Sequence, residues 1–217
     1  MDMSQKNPDA VAIAILAKAP LAGLAKTRLA SELGPEGAAA LQARFIERTV
    51  DTARRAATGP ITLWVAPDRE HPVFQTLSAL LGVRLERQPE GDLGERMRVA
   101  LAGGPTLVIG TDCPALTADH LRAAADVLRS GVDAVVIPVE DGGYALIGLG
   151  RPEPRLFADM TWGTPTVMAE TRRRLTRLGL TWREPARLWD VDTIADLERM
   201  RSEGLASLMG SSAVGSD

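Results

Sequence analysis

Aspartates that follow apolar segments are the residues whose type and position point most directly to chemistry. Asp112 comes just after the apolar run 107–109 and just before Cys113 and Pro114. Proline has no N–H to donate to a ladder, so this run is predicted to be a buried strand that ends near residue 111. Ligands of open α/β sheets bind at the carboxyl ends of strands, which makes Asp112 a candidate metal or substrate ligand.

A second candidate precedes the last predicted helix. Asp190 and Asp192 are two residues apart, so in an extended segment their side chains face the same side. One or two carboxylates together with substrate phosphates are the usual ligands of Mg²⁺. Asp112 and Asp192, both at strand-to-helix transitions, are therefore the predicted pair around a divalent cation.

Each aspartate also has a purely structural alternative. Asp112 could cap the following helix, although Thr117 is better placed for that role. Asp192 or Thr193 could cap the last helix, and Thr193 with Asp196 has the spacing of a capping box.

A basic loop directly after the first predicted strand could supply the phosphate-binding groups. Lys18, Lys26 and Arg28 stand among prolines and glycines, including Pro20 and Gly23. Such cations can neutralise phosphates while backbone N–H groups cradle them. The alternative is a solvated loop whose lysines face water. We expect Lys26 and Arg28 to be largely exposed when no ligand is bound.

Several well-known motifs are absent from the sequence. A Walker A loop needs glycines where this chain has Pro20 and Ala25, and no G-x-G-x-x-G follows the first strand. The only histidines are His71 and His120 and no G-x-S-x-G occurs, so a serine hydrolase triad is not expected. The single cysteine, Cys113, excludes an internal disulfide.

Composition limits the class of protein. The 217 residues fit one large domain, and a net charge of −3 gives no case for nucleic-acid binding. No apolar run approaches the roughly 20 residues that span a membrane, and the start lacks the order of a signal peptide. We expect a cytoplasmic monomer or homodimer. Residues 1–9 are predicted to be a disordered tail, 10–203 the domain and 204–217 a flexible tail.

The elements that must position these residues alternate along the chain. Strands are predicted over 11–16, 61–66, 83–87, 106–110, 133–139, 144–149 and 180–183. Helices are predicted over 35–57, 71–81, 95–102, 117–130, 164–178 and 193–201. This alternation predicts a single α/β, Rossmann-like domain, with a mostly parallel sheet and helices on both faces. The turn at 140–143 predicts a hairpin that makes the sheet mixed.

Four motifs together resemble those of the DUF2064 family and occur in that family's order. They are K-A-P-x-x-G-x-x-K-T-R-L at 18–29, G-T-D-C-P at 110–114, D-G-G-Y at 141–144 and W-D-V-D-T at 189–193. That family belongs to the nucleotide-diphospho-sugar transferase superfamily, so the resemblance implies a GT-A-like fold from about residue 11 to residue 200. The first loop is also similar to that of 2-phospho-lactate guanylyltransferase.

The resemblance implies roles for particular positions. Asp112 and Asp192 would hold Mg²⁺ or Mn²⁺. The residues that would bind nucleotide or phosphate are Lys18, Pro20, Gly23, Lys26, Arg28, Asp92 and Gly94. The residues that would face the sugar or acceptor are Gly142, Gly143, Tyr144 and Trp162. The residues that would carry catalysis are Asp112, Lys26 and Asp141, the last as a general base.

Structural alternatives exist for the later motifs as well. The segment 91–97, which resembles the part that holds base and ribose, could be a loop that ends in a helix cap. The segment 141–144 could be only a hairpin turn, and Trp162 could be a packing residue.

The predicted function is a metal-dependent transferase that uses a nucleotide-activated donor. The family's description favours glycosyl transfer from an NDP-sugar to a small acceptor. Asp112 lacks the following Asp-x-Asp partner of many glycosyltransferases. The alternative is nucleotidyl transfer from an NTP to a small phosphorylated or acidic acceptor, with release of pyrophosphate. A non-catalytic nucleotide-binding protein is a further alternative.

Overall fold

A seven-stranded mixed sheet forms the centre of the computed structural model, which describes residues 9–209. The strands are β1 (Ala12–Lys18), β2 (Ile61–Ala66), β3 (Arg84–Arg87), β4 (Thr106–Ile109), β5 (Ala134–Pro138), β6 (Tyr144–Leu149) and β7 (Trp182–Arg183). Their spatial order is β3-β2-β1-β4-β6-β5-β7. β6 runs antiparallel to β4 and β5, and the other neighbouring strands pair in parallel. The predicted mixed, mostly parallel sheet and its hairpin are therefore confirmed.

Helices cover both faces of this sheet, as predicted. They are α1 (Ala30–Ala56), α2 (Pro72–Leu81), α3 (Leu93–Ala100), α4 (Ala118–Arg129), α5 (Val167–Arg177) and α6 (Ile194–Ser202). Buried residues of α1, α2 and α4 join one core, and buried residues of α3 and α5 join the other.

The central strands contribute alternate residues to these two cores. Ile13, Ile15 and Leu107 pack on the face of α1, α2 and α4, whereas Ala14 and Val108 pack on the face of α3 and α5. Side chains of a strand alternate between the faces of its sheet, so a strand that is covered on both faces must be apolar throughout. This is why unbroken apolar runs mark β1 and β4 in the sequence.

A third, smaller core carries the segment before α6 to the centre of the molecule. Its buried residues are Leu29, Leu41, Phe45, Trp189, Val191, Leu197 and Met200. They come from the turn just before α1, from α1 itself, from α6 and from the segment that precedes α6. Residues 189–193 are thereby fixed beside the end of β4, which is far from them in sequence.

Two helices begin at different residues from those predicted. α1 begins at Ala30, because a short helical turn runs into the main helix through a kink at Gly34, where φ is 68°. Pro35 follows that kink. α5 begins at Val167, because the Thr164 hydroxyl donates a hydrogen bond to a backbone carbonyl three residues earlier and does not cap the helix.

The predicted tails fall largely outside the residues that the structure describes, which exclude 1–8 and 210–217. Residues Ala206–Met209 form a 3-10 turn, and the guanidinium of Arg44 donates to the Met209 carbonyl at 2.8 Å. Residues 204–209 therefore begin the predicted C-terminal tail with a segment that contacts α1. The division of the chain at residue 203 stays a prediction.

Between residues 9 and 209, no helix has both the length and the apolar character needed to cross a membrane.

Candidate functional site

The carboxyl ends of β1 and β4 lie side by side, because the two strands are parallel neighbours. They border a cleft of about 480 Å³. Its walls include Lys18, the loop 24–28, the strand end 110–112 and Asp192. Ligands of open α/β sheets bind at this edge. The structure therefore brings together the two predicted metal ligands and the three predicted cations.

The backbone fixes Asp112 at the end of β4. Its carbonyl accepts a hydrogen bond from the Val191 N–H at 2.9 Å, which joins the end of β4 to the segment before α6. The neighbouring Thr111 hydroxyl accepts from Nε2 of Gln42 at 3.0 Å in a buried contact with α1. α4 is capped by the side chain of Thr117, so the alternative role of Asp112 as its cap is excluded.

Lys26 lies at the centre of the site. Its Nζ is 2.7 Å from Oδ1 of Asp112 and 3.2 Å from Oδ1 of Asp192, and it donates to the Val191 carbonyl at 2.6 Å. The ammonium also lies 5.7 Å from the centroid of the Phe45 ring, within the range of a cation–π interaction. Its contact with Asp112 is an ion pair rather than an aligned hydrogen bond.

The expectation that Lys26 is exposed is wrong. Its side chain is only 6% exposed, whereas those of Asp112 and Asp192 are 50% and 43% exposed. Burying an ammonium is costly unless opposite charges pair with it, and two carboxylates do so in this cleft. Sequence spacing could not show this, because Lys26 and Asp192 are 166 positions apart.

The same surroundings decide the ionisation of Lys26. Burial by itself would lower the pKa of this lysine, but the opposite charges of Asp112 and Asp192 outweigh burial and raise the pKa above 10.5. The side chain is therefore a cation at neutral pH. Its backbone has φ 46° and ψ 44°, a left-handed conformation that is uncommon for residues other than glycine.

Asp192 reaches the cleft from the segment that precedes α6. Its Oδ1 faces Lys26, and its Oδ2 lies 3.7 Å from a guanidinium nitrogen of Arg28. Thr193 and Asp196 form the capping box of α6, as their spacing predicts, so Asp192 is not the cap. The side chain of Arg28 is 76% exposed, which confirms the expectation for this residue.

Asp190 is a further acidic residue of this region to which the motifs assign no role. Burial, together with the charges of Asp141 and Asp192, raises the pKa of its carboxyl to about 6. Carboxyls with shifted pKa values are common at functional sites. In the sequence, the feature that could have indicated a role for Asp190 is its position two residues before Asp192 in an extended segment.

Gln88 and Arg96 form a polar part of the cleft wall that sequence reasoning missed. Nε2 of Gln88 donates to the carbonyls of Ala17 and Trp64 at 2.9 Å each, and its Oε1 accepts from Arg96 at 3.1 Å. In the part of the chain that the structure describes, Nε of Arg96 is buried without a hydrogen-bond partner. The signal for Arg96 was its place within the segment 91–97.

Two predicted residues of the segment 91–97 have structural roles. The carboxylate of Asp92 accepts the Glu95 N–H at 2.9 Å and caps α3, as the structural alternative proposed. Gly94 packs against Trp162, since a Cβ at residue 94 would lie 3.0 Å from the indole ring. Trp162 itself packs against the core beneath α3 and α5. Contacts of these residues with a nucleotide stay a prediction.

The hairpin motif contributes one residue to the cleft. Tyr144 lines it, and burial raises the pKa of its phenol. The carboxylate of Asp141 accepts the Gly143 N–H at 2.8 Å, which closes the turn. Gly142 has φ 94°, and its carbonyl accepts the Met168 N–H at 2.8 Å. The turn therefore has a structural role, and its predicted contact with an acceptor stays a prediction.

Pro20 and Gly23 lie in the loop between the predicted phosphate-binding lysines. Pro20 is buried, and Gly23 has φ 77°, a conformation that glycine adopts readily. Both residues therefore act on the shape of the loop.

Asp112 and Asp192 fit a divalent cation that is also bound by phosphate oxygens. Among residues 9–209, no three His, Cys, Asp or Glu side chains form a group that could hold a metal by themselves. Mg²⁺ is usually held through one or two carboxylates plus substrate phosphates. The two Oδ1 atoms converge on one positive group, the ammonium of Lys26, so their spacing suits a cation.

Comparison with known proteins decides the family. The model of DUF2064, described as an uncharacterized protein conserved in bacteria, matches residues 49–164, just over half of the chain. The chain belongs to the DUF2064 family. A phosphoenolpyruvate guanylyltransferase from Chloroflexus aggregans is 30% identical to this DUF2064 protein in an alignment 189 residues long that covers 82% of this chain and 89% of that one.

Solved structures share the fold of this DUF2064 member. A protein from Desulfovibrio desulfuricans G20 that is assigned to the nucleotide-diphospho-sugar transferases has a TM-score of 0.80 and 27% identity, over 93% of this chain and 91% of that one. Rv0371c from Mycobacterium tuberculosis H37Rv, solved as a manganese complex, has a TM-score of 0.52 and 18% identity, over 88% and 98%. The predicted fold and superfamily are confirmed. The DUF2064 protein is a transferase of the glycosyl or nucleotidyl type.

Proposed function

We propose that this protein is a nucleotidyltransferase that joins a nucleotidyl group, with GTP as the preferred donor, to a small phosphorylated acid and releases pyrophosphate. The observation that carries this proposal is the convergence of Asp112 and Asp192 on one cationic point beside the basic loop. The description of the family favours glycosyl transfer, with nucleotidyl transfer as the alternative. The guanylyltransferase relative supports the alternative, and its name supports a donor with guanine.

The two reactions place different demands on the carboxylates. A glycosyltransferase breaks the bond between sugar and phosphate, so its metal needs to neutralise only the departing diphosphate. In a nucleotidyltransferase the acceptor attacks the α-phosphate of the NTP, so positive charge must reach both that phosphate and the departing pyrophosphate. Two carboxylates from separate segments, Asp112 and Asp192, suit this second arrangement better than an Asp-x-Asp motif at the end of β4, which is absent because Cys113 and Pro114 follow Asp112.

The cations of the cleft would bind the triphosphate. Lys18 and Arg28 line the cleft as exposed residues and can form charge-assisted hydrogen bonds with phosphate oxygens. Asp112 and Asp192 would hold Mg²⁺ or Mn²⁺, which when bound supplies Lewis-acid stabilisation of the developing phosphate charge. The manganese complex of the mycobacterial neighbour supports a divalent ion.

An acceptor of this kind does not need a general base from the protein. Phosphoenolpyruvate, the compound in the relative's name, carries a carboxylate and a phosphate, and phosphate oxygens are already largely ionised at neutral pH. An anionic oxygen can attack without losing a proton, so the main task of the protein is to hold it in line with the α-phosphate. This supports positioning and charge as the main contributions, with Asp141 as a base only if the acceptor is a neutral hydroxyl.

The guanidinium of Arg96 would help to orient the nucleotide. Gln88 accepts a hydrogen bond from this guanidinium and holds it in the cleft wall, which Arg96 lines. Binding of base or ribose by this wall agrees with the role that the family resemblance implies for the segment 91–97.

Product analysis tests the proposed function. The protein is incubated with each of the four NTPs or with a panel of NDP-sugars, together with Mn²⁺ or Mg²⁺ and small acceptors, some with a carboxylate and a phosphate. We expect pyrophosphate from GTP with a phosphorylated acid. Loss of release in Asp112→Asn, but not in the surface variant Asp119→Asn, ties turnover to the cleft. Nucleoside diphosphate released from an NDP-sugar, with NTPs untouched, would instead establish glycosyl transfer.

A further inference from the structure

The ammonium of Lys26 occupies the point on which the two predicted metal ligands converge. Three oxygens surround it: Oδ1 of Asp112 at 2.7 Å, Oδ1 of Asp192 at 3.2 Å and the Val191 carbonyl at 2.6 Å. Mg²⁺ lies about 2.0–2.1 Å from its oxygen ligands. Two cations cannot share this point, so Lys26 must move before the two Oδ1 atoms can bind one metal ion there.

We propose that Lys26 is a built-in competitor that keeps divalent metal out of the nucleotide-free enzyme, so that metal enters the site together with the nucleotide. The inference rests on the proposed function for the identity of the ligand. It extends that function by making metal affinity depend on nucleotide, because the triphosphate offers the displaced ammonium new anionic partners in the same cleft.

The competitor is held firmly in the absence of ligand. The Lys26 side chain is almost fully buried, and it makes ionic contacts with two carboxylates and a hydrogen bond to the Val191 carbonyl. The Phe45 ring adds a cation–π contact, and α1 supplies this ring from the third core. A hydrated divalent ion alone would have to break all these contacts, and it would leave a buried ammonium without partners.

The ammonium of Lys26 is also able to move away from the two carboxylates. Asp112 and Asp192 are about half exposed towards the cleft, so a metal ion that is bound to phosphate can reach the carboxylates from the cleft. Lysine has a flexible four-carbon stem, and rotation of this stem suffices to bring the ammonium from the carboxylates into the cleft that Lys26 already lines.

The exchange keeps every charge paired. In the free enzyme the ammonium pairs with both carboxylates and offsets one of their two negative charges. With nucleotide bound, the metal would neutralise the carboxylates while the ammonium neutralises phosphate. Coupling between two ligands is reciprocal, so nucleotide must raise metal affinity by the same factor by which metal raises nucleotide affinity.

A titration with Mn²⁺ alone tests the competition directly. Free Mn²⁺ is followed by electron paramagnetic resonance in the absence of nucleotide, for wild type, Lys26→Met and Lys18→Met. Methionine keeps an unbranched side chain but carries no charge. Lys18 lines the same cleft as an exposed residue, so Lys18→Met removes the same charge without vacating the metal point.

We expect Lys26→Met to bind Mn²⁺ at least about tenfold more tightly than wild type, and Lys18→Met to stay within about twofold of it. Lys26→Arg, which retains a cation, should bind as weakly as wild type. GTP should raise the Mn²⁺ affinity of wild type far more than that of Lys26→Met. Equal or weaker Mn²⁺ binding by Lys26→Met overturns the inference, as does tight binding by Lys26→Arg.

A thermal melt covers the case in which Lys26→Met is poorly folded. Mn²⁺ without nucleotide should then raise the melting temperature of Lys26→Met more than that of Lys18→Met, and an equal effect counts against the competition. The proposed function is separated by turnover. If wild type releases pyrophosphate but Lys26→Met gains no Mn²⁺ affinity, the competition by Lys26 is overturned and the proposed function stands. If Lys26→Met binds Mn²⁺ tightly but wild type does not turn over GTP, the proposed function is overturned and the competition by Lys26 stands.

Discussion

At the scale of single residues, Asp112 is the group on which nucleotide binding should depend most. Ligand that binds only the folded state stabilises it by about 2.7 kcal/mol at a hundredfold excess over its dissociation constant. We expect GTP with Mn²⁺ to raise the melting temperature of wild type and to have little effect on Asp112→Asn. Asp119→Asn is the matched control, since Asp119 is an exposed aspartate on α4. An undiminished shift in Asp112→Asn would show that nucleotide binds elsewhere.

Lys26 and Arg28 are two cations of one loop that should contribute very different amounts to stability. Arg28 is exposed, so Arg28→Ala should change the free energy of unfolding by no more than about 0.5 kcal/mol. Lys26→Ala removes the buried partner of two carboxylates and should cost about 1–3 kcal/mol. Urea unfolding of both variants measures the difference. Equal stabilities would mean that the ion pairs of Lys26 contribute nothing to the fold.

Asp190 should make the stability of the protein depend on pH. Its pKa is raised from 3.8 to about 6 by burial and by the charges of Asp141 and Asp192, so the folded state binds more protons than the unfolded state between these values. Its contribution to stability therefore falls as the pH rises from about 4 to about 6. Asp190→Asn should be more stable than wild type at neutral pH and lose this advantage at about pH 4. A constant difference across urea unfolding curves at several pH values would contradict the assignment.

Prediction from sequence worked best for residues whose role follows from local pattern. The position of Asp112 at a strand end, the capping box of Thr193 and Asp196, and the exposure of Arg28 needed only neighbouring residues. The burial of Lys26 was missed, since it depends on carboxylates that lie 86 and 166 positions away along the chain.

At the scale of elements, the turn between β5 and β6 offers a test that distinguishes a packing role from a ligand-binding role. A Cβ at Gly142 would overlap the Pro165 carbonyl, and the φ of 94° disfavours other residues. Gly142→Ala should therefore destabilise the protein by about 2–4 kcal/mol, the sum of overpacking and backbone strain. Gly104→Ala is the control, because Gly104 has φ 116° and no atom within 4 Å of a Cβ.

The comparison of these two variants separates the roles assigned to the turn. Thermal unfolding should show a much larger loss for Gly142→Ala than for Gly104→Ala, which carries only the backbone strain. Similar losses in the two variants, together with a selective loss of turnover in Gly142→Ala, would instead favour the acceptor contact that the family resemblance implies.

The limits of element prediction have local causes. β1 and β4 were placed within two residues, since strands that are buried on both faces are apolar throughout. The start of α1 was missed because the kink at Gly34 hides a first helical turn, and glycine usually signals a break. The start of α5 was missed because the Thr164 hydroxyl bonds backward to a carbonyl instead of capping the helix.

At the scale of the whole molecule, the cleft is assembled from segments that are distant in sequence. The loop after β1, the end of β4, the start of α3 and the segment before α6 all contribute to its walls. Their order in the sheet decides which strand ends are neighbours, and β4 lies beside β1 although two other strands separate them along the chain. The charged residues that line the cleft could thus be predicted from the sequence, but the distances between them depend on the topology of the sheet.

The end of the chain provides a test of where the folded unit stops. The segment 204–209 packs Leu205, Leu208 and Met209 against the third core, and Arg44 of α1 donates to the Met209 carbonyl. Partial burial of such side chains contributes at about 25 cal/mol per Å² of apolar surface, so their removal should cost about 1–2 kcal/mol. We expect a chain of residues 1–203 to unfold at lower urea concentration than a chain of residues 1–209. The difference between these two chains isolates the segment, because both lack residues 210–217. Equal midpoints would place the boundary at residue 203, as the sequence predicts, and would show that the contacts with α1 add nothing to stability.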